Sequence, residues 1–264
     1  MDFTLSIYKK LLTTYKDRNY RFFTVEEFFP LFHPVSKPTG HPIIIMRHDV
    51  DRTPQNALQI ATIEYELNIK SSYYFRILPC SYNSKIIREI AELGHEIGYH
   101  YENMSTCHGD LDKAWDDFRR NLEKLRKLYP VNTICMHGSP MSKYDNRDLW
   151  KKYDYSTEGI IGEPYLDVDW NEVFYLTDTG RRWDGGDVSI RDKIQDSRFK
   201  IQDWPVYRTT NDIIAALKNG TFPKKAMITT HPQRWTNNPI LWTKELVWQN
   251  IKNRIKSVVV RRLK

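Results

Sequence analysis

The sequence predicts an α/β fold built on a mostly parallel sheet, open or closed into a barrel. Three observations predict it. Short β-branched apolar runs alternate with helical patterns along nearly the whole chain. No internal repeat or linker interrupts that alternation. Four of the apolar runs lead straight into ionisable residues, as strands do where a parallel sheet carries its chemistry.

Each element has its own local reason. Leu5, Tyr8, Leu11, Leu12 and Tyr15 recur at helical spacing. Thr24-Val25-Glu26-Glu27 reads as a capping box that opens a short helix through Phe28 and Phe29. Pro30, Pro34, Pro38 and Pro42 then predict irregular chain up to Ile43-Ile44-Ile45-Met46, whose uniform apolarity marks a strand buried on both faces. Thr53 is the expected cap of the next helix, with Pro54 in its first turn and Ala57, Ile60, Ala61 and Glu64 following. Tyr73–Phe75 predicts a strand, Lys85–Leu93 a helix stopped by Gly94, and Ile97–Tyr101 a further strand. Asp110 caps a long helix through Leu128, with Trp115, Phe118, Leu122, Leu125 and Leu128 on one stripe. Strands are expected at Thr133–Met136, Val173–Leu176, Val188–Ile190 and Ala226–Thr230, and a helix between Thr210 as cap and Gly220.

The 264 residues are 40% hydrophobic and 28% charged, which excludes a disordered or membrane-spanning chain. They read as one domain, 1–264: an N-terminal helical extension over 1–40, a core over 43–235 and a C-terminal helix over 241–258. Aromatics at 13% suit a ring-packed core or a groove that stacks on flat ligands. A net charge of +7 favours anionic partners. No helix-turn-helix, zinc-finger or single-strand-binding motif accompanies it, so nucleic acid is not an expected partner. Cys80, Cys107 and Cys135 are odd in number and widely spaced, so no disulfide framework or zinc ribbon is expected, and each reads as a small buried residue. The opening residues lack the layout of a secretory signal, and a cytoplasmic location is the expectation.

The chemistry gathers at the strand ends. Asp49 and Asp51 are two residues apart, so an extended backbone sends both carboxylates to one side. Two such carboxylates repel unless a cation joins them. A divalent metal on Asp51 would leave Asp49 free to take a proton; a cap on the following helix is the lesser alternative for Asp51. His100 and Glu102 share a face by the same argument, and both are ordinary ligands for zinc or another first-row ion. His137 and His231 end two further strands, and His231 is placed to protonate a leaving group.

At these residues the chain resembles the polysaccharide deacetylase family, the NodB-homology carbohydrate esterases, over roughly Ile43 to Trp235. Arg47-His48-Asp49-Val50-Asp51 takes the place of the family's paired-aspartate motif, and Gly94-His95-Glu96-Ile97-Gly98-Tyr99-His100 closely matches its second motif. Met136-His137-Gly138-Ser139-Pro140 and Ile228-Thr229-Thr230-His231 fall where its later motifs belong. The resemblance implies an irregular (β/α) barrel of about seven strands. It also implies Asp49 as general base, His231 as the group assisting departure, and Asp51 and His100 as metal ligands. The family's second ligand histidine falls at Met104, whose thioether suits such an ion poorly. His137 is the preferred replacement, ahead of Glu102 and then His108. The implied cofactor is one divalent ion, zinc first, with cobalt, nickel or iron as alternatives. The implied activity is removal of an acyl group, N-acetyl above all, from a sugar or glycan precursor of the kind used in surface polysaccharide. Loss of the ligand at Met104 keeps a second reading open, a carbohydrate-binding protein without catalysis.

The remaining candidates are substrate contacts. Arg47 is placed to bind an anionic group or to orient Asp49, and Glu102, Arg234 and Trp235 are further contacts. Residues 178–186 form a polar loop that could hold a sugar or phosphate, and Trp204 is placed to line a groove or the core. Trp242, Leu246, Val247, Ile251, Ile255 and Val258 recur at helical spacing among basic residues. Such a helix packs its stripe on the domain or associates weakly with an anionic membrane surface.

Overall fold

The computed structural model describes residues 1–32, 40–139, 142–184 and 204–262. Its centre is a seven-stranded parallel sheet. The strands are β1 (Arg21–Phe23), β2 (Ile43–Val50), β3 (Ser72–Phe75), β4 (Glu96–Tyr101), β5 (Ile134–Met136), β6 (Phe174–Thr177) and β7 (Lys225–Thr230). The order is β5-β4-β3-β2-β7-β6, with β1 pairing the first half of β2 on the edge that β3 takes further on. Every one of these pairings is parallel, so all strands end at one rim.

The two outer strands do not pair with each other. Chain between them fills the gap instead: Ile161 N–H donates to Asn132 O at 2.8 Å, and Ile134 N–H to Gly162 O at 3.2 Å. A Cβ on Gly162 would meet the Phe29 ring at 2.2 Å, so this close approach requires glycine. Beyond it, Tyr165 hydroxyl meets that of Tyr175 on β6 at 3.2 Å. The result is an α/β, irregular, curled barrel, closed on one side by irregular chain.

Strand β2 is buried at all its positions, and alternation divides it. Arg47 and Asp49 face the barrel interior. His48 faces α1 (Leu5–Asp17) and α3 (Pro54–Glu66), where it meets Glu64. The core is continuous, and its largest fully buried side chains include Trp235, Arg47, Tyr8, Tyr73 and Tyr74. The other α-helices among the described residues are α2 (Val25–Phe32), α4 (Ser84–Glu92), α5 (Asn103–Thr106), α6 (Leu111–Arg126), α7 (Pro164–Asp167), α8 (Thr210–Lys218) and α9 (Pro239–Arg262).

Several local expectations change. The capping box forms at α2, with Thr24 Oγ1 accepting from Glu27 N–H at 3.1 Å and Glu27 Oε2 from Thr24 N–H at 3.0 Å. Pro30 nevertheless lies inside that helix. Helix α3 begins at Pro54, but Thr53 takes a left-handed φ of 56° and its side chain makes no cap. Thr209, not Thr210, caps α8, in a reciprocal box with Asp212. Strand β1 was not expected, because three residues carry no readable period. Val188–Ile190 lies outside the described residues. Only Cys135 of the three cysteines is buried; Cys80 is exposed and Cys107 intermediate.

Candidate active site

Four strand ends bring ionisable side chains to one place. Asp51, just past β2, has its Oδ1 3.6 Å from His100 Nε2 on β4 and 3.5 Å from His137 Nε2 beyond β5. These separations are too long for hydrogen bonds. They match the spacing of about 3.3 Å between ligand atoms that surround one ion with bonds of about 2.0–2.1 Å. Asp51 Oδ1 is buried and has no hydrogen-bond partner, which is costly for a carboxylate unless a cation completes it. Asp51, His100 and His137 form one of two groups among the described residues that could hold a metal; the other is Asp49, His100 and Cys135.

The outer nitrogens of both rings are already engaged. His100 Nδ1 is 2.9 Å from the Cys135 carbonyl and so carries the hydrogen there. His137 Nδ1 meets Glu102 Oε2 at 3.1 Å and Ser139 Oγ at 3.0 Å. Each arrangement leaves a lone pair on Nε2, the form a metal ligand needs. Glu102 is fixed in turn by Arg76, whose Nε and Nη2 donate to its two oxygens at 2.9 and 2.7 Å. Burial alone would raise the Glu102 pKa, but His137 and Arg76 bring it down to about 2. Ser139 holds a left-handed φ of 37°, braced by Asn146 Nδ2, which donates to Ser139 Oγ at 3.2 Å and His137 O at 2.8 Å. Met104 is 4% exposed and packs in the core. His108 is exposed and belongs to neither metal-capable group.

Asp49 faces the same space, with Oδ2 3.8 Å from His100 Nε2. Arg47 grips both its oxygens, Nε to Oδ1 at 3.0 Å and Nη2 to Oδ2 at 2.8 Å. Burial pushes the Asp49 pKa up, yet Arg47, His100 and His231 outweigh it and hold the carboxyl below its usual range. Burial also opposes ionisation of Asp51, and the three histidines overcome it by a wider margin. His100 is depressed by burial but raised on balance by Asp49 and Asp51, a proton that a cation on Nε2 would displace. Arg47 itself has no exposed surface and donates to Tyr165 as well at 3.0 Å. Its contacts are therefore with Asp49 and Tyr165 inside the barrel.

On the other side, His231 Nε2 is 4.0 Å from Asp51 Oδ2. Its Nδ1 is 2.6 Å from Asp178 Oδ1 and its backbone N–H donates to Asp178 Oδ2 at 3.0 Å. Arg234 Nη1 and Trp235 Nε1 bind the same carboxylate at 2.5 and 2.8 Å. Arg234, 7% exposed, and the wholly buried Trp235 therefore brace Asp178. Burial would raise the Asp178 pKa, but Arg234 and His231 take it to about 2.

Sequence reasoning missed Arg76 altogether, took Asp178 only as the start of a polar loop, and took Gln233 only as a neighbour of the substrate candidates after His231, whereas Gln233 Nε2 donates to Asp51 Oδ2 at 3.2 Å. Asp178 did carry a signal, since it directly follows β6 as the other site residues follow their strands. The loop it opens is packed rather than open. Arg181 lies over the Phe3 and Trp242 rings, Trp183 is 3% exposed, and Arg182 pairs with Asp184. Gly185 and Gly186 lie outside the described residues. Trp204 packs on Phe174, ring centroids 5.4 Å apart.

The matched motif around His100 is largely architectural. Gly94 takes φ 87° where α4 ends. His95 Nε2 donates to Ala61 O at 3.0 Å and its Nδ1 accepts from Ser71 N–H at 3.2 Å. A Cβ on Gly98 would strike the Tyr74 ring at 2.3 Å. A cavity of about 560 Å³ opens beside His137, lined by Arg76, Glu102, His108, Lys143 and Tyr144 among others.

No family model matches the chain, and no curated protein matches it significantly. Solved structures do. A Streptococcus pyogenes deacetylase, PplD, in complex with acetate is 14% identical, with a TM-score of 0.45 over 55% of this chain and 66% of its own. BA3943, a CE4 family pseudoenzyme from Bacillus anthracis, is 13% identical, with 0.45 over 82% of this chain and 62% of its own. A Streptococcus mutans CE4 esterase is 12% identical, with 0.44 over 83% of each chain. This chain thus spans less than two thirds of the first two proteins. At such identities no residue role passes from them to this chain.

Proposed function

We propose that the chain is a metal-dependent hydrolase that removes an acyl group, N-acetyl in the first instance, from a carbohydrate or glycan precursor. One observation carries the reading. The unpartnered Asp51 Oδ1 faces the Nε2 atoms of two histidines whose other nitrogens are already engaged. One carboxylate and two imidazoles are an ordinary zinc set that also accepts cobalt, nickel or iron.

A divalent ion held by Asp51, His100 and His137 would polarise an acyl carbonyl and make a neighbouring water more acidic. Asp49 takes the proton that the attacking water loses. Arg47 aims both of its oxygens, at some cost in basicity, because a guanidinium favours the ionised form. His231, with hydrogens on both ring nitrogens, delivers the one on Nε2 to the leaving amine, while Asp178 Oδ1 holds the one on Nδ1. The water oxygen joins the acyl carbon, the C–N bond breaks, the amine departs with the proton from His231, and exchange with solvent removes the proton from Asp49 and returns one to His231. The cavity beside His137 offers room for the sugar, with Arg76 and Lys143 on its wall.

A specific contact favours one alternative. Arg47 closes on both Asp49 oxygens, which suits a glycan-binding protein that no longer needs a base. Elemental analysis together with acetate release from acetylated amino sugars separates the two. The hydrolase reading expects about one ion per chain, lost in Asp51→Ala, and turnover that a chelator abolishes. A wild-type protein that stays metal-free after reconstitution, or binds glycan without releasing acetate, overturns it.

A further inference from the structure

A helix on a globular domain ordinarily turns its apolar stripe inward. Helix α9 does the reverse. Ile240, Leu241, Val247, Trp248 and Ile251 are 76%, 51%, 53%, 49% and 45% exposed, and their spacing places them on one side of the helix. The side that meets the domain is partly polar. Gln249 is 4% exposed, and Asn253 Nδ2 donates to Gly180 O at 3.0 Å. Among the described residues, five of the eleven exposed large hydrophobic side chains belong to this helix, so the stripe is not ordinary surface scatter. The expected packing of Val247 and Ile251 on the domain is therefore not what forms.

Charge selects what covers the stripe. The α9 sequence holds six basic residues, Lys244, Lys252, Arg254, Lys256, Arg261 and Arg262, and one acid, Glu245, which faces Arg52 at 3.5 Å. Lys244 is exposed between the apolar positions, and Lys252 Nζ is 5.8 Å from the Trp248 ring. A second copy of the helix would set Lys244 and Lys252, which sit in and beside the stripe, against their own like charges. A phosphate-rich lipid surface would receive the cations at its headgroups and the apolar side chains just beneath, with tryptophan at the boundary.

The stripe also reaches the candidate site. Leu241, Lys244 and Trp248 line a cavity of about 430 Å³ with Arg52, Asn56 and Gln233, and Gln233 holds Asp51. We propose that α9 docks on an anionic lipid surface and turns the rim of the Asp51 cluster toward it. A corollary rests on the hydrolase reading: the acyl sugar reaches that rim as a lipid-carried glycan.

Co-sedimentation with vesicles tests the docking with no substrate present. Wild-type protein should bind phosphatidylcholine vesicles containing phosphatidylglycerol at least about tenfold better than phosphatidylcholine alone, and should release them as salt rises. Val247→Glu combined with Ile251→Glu should cut that binding at least about tenfold, with thermal melting and metal content unchanged. Lys244→Glu combined with Lys252→Glu gives a second variant, expected to erase the preference for anionic lipid. Absence of wild-type binding, or equal binding by wild type and the first variant, overturns the proposal. So does a wild-type dimer in light scattering that the first variant makes monomeric, since the stripe then meets a second copy. Failure of the hydrolase reading shows separately, as missing metal or missing acetate release.

Discussion

One strand separates two polar clusters with opposite character. Outward from β2, Glu64 accepts from Tyr8 and Tyr73 hydroxyls at 2.5 Å each and meets His48 Nε2 at 2.8 Å, while His48 Nδ1 meets Thr230 Oγ1 at 2.7 Å. His95, beside it, uses both ring nitrogens on backbone groups. Inward from β2, Asp51 Oδ1 and the Nε2 atoms of His100 and His137 face one another without a hydrogen bond. Both clusters combine a carboxylate with two histidines, the outward one wholly buried and the inward one partly open at Asp51 and His137. Charge and composition therefore do not distinguish a site from a strut; unspent valence aimed at a common point does.

The sharpest way to test this contrast removes one carboxylate on each side of β2. Asp49→Asn on the inward side should lower kcat by about 10²–10⁴, the usual worth of a general base, while metal stoichiometry stays at the wild-type value. Turnover is read as acetate release and stoichiometry by elemental analysis. Full activity in that variant would move the base elsewhere.

Glu64→Gln on the outward side should do the opposite, costing about 3 kcal/mol of stability in denaturant unfolding with no change in metal content. The pH dependence carries a definite sign. Burial raises the Glu64 pKa, but His48, His95 and Tyr73 outweigh it and set it at about 2, below the usual 4.5. A depressed carboxyl pKa stabilises the fold above its unfolded value. The gap between wild type and Glu64→Gln should thus be full above about pH 5 and close as pH falls toward 2. A gap that widens in acid would mean that Glu64 is protonated in the fold.

Much of this contrast was legible in the sequence, and particular residues show where legibility ends. Strand ends placed Asp49, Asp51, His100, His137 and His231 at one rim because parallel strands have no other place to put them. Alternation along β2 set Asp49 and His48 on opposite faces. Arg76 was invisible because its partner Glu102 lies 26 positions away, across a strand pairing that composition does not record. Asp178 was read as the start of an open loop, since only tertiary contact with His231 and Trp235 shows it to be buried. Helix α9 is the clearest limit. Its spacing announces a stripe, but the same spacing serves a stripe that faces the domain and one that faces away.

Smaller effects sharpen the inward half of the comparison, because the groups behind the ligands should act through orientation alone. Glu102→Gln removes the charge that pairs with Arg76 and weakens the hold on His137 Nδ1. Metal affinity should fall about 10–100-fold, as is usual for a group that orients a ligand, and the melting curve of the apo-protein should move much less.

Gln233→Ala should have the smallest effect. It removes one neutral hydrogen bond of 3.2 Å to Asp51 Oδ2 and leaves Oδ1, the oxygen facing the two histidines, untouched. A single such bond is worth about 1 kcal/mol net, so metal affinity should drop only about fivefold in competition with a chromogenic chelator. A loss as large as that of Glu102→Gln would mean that Oδ2, not Oδ1, carries the ligand bond. The geometry of the centre would then have to be redrawn around His231, whose Nε2 is 4.0 Å from that same oxygen.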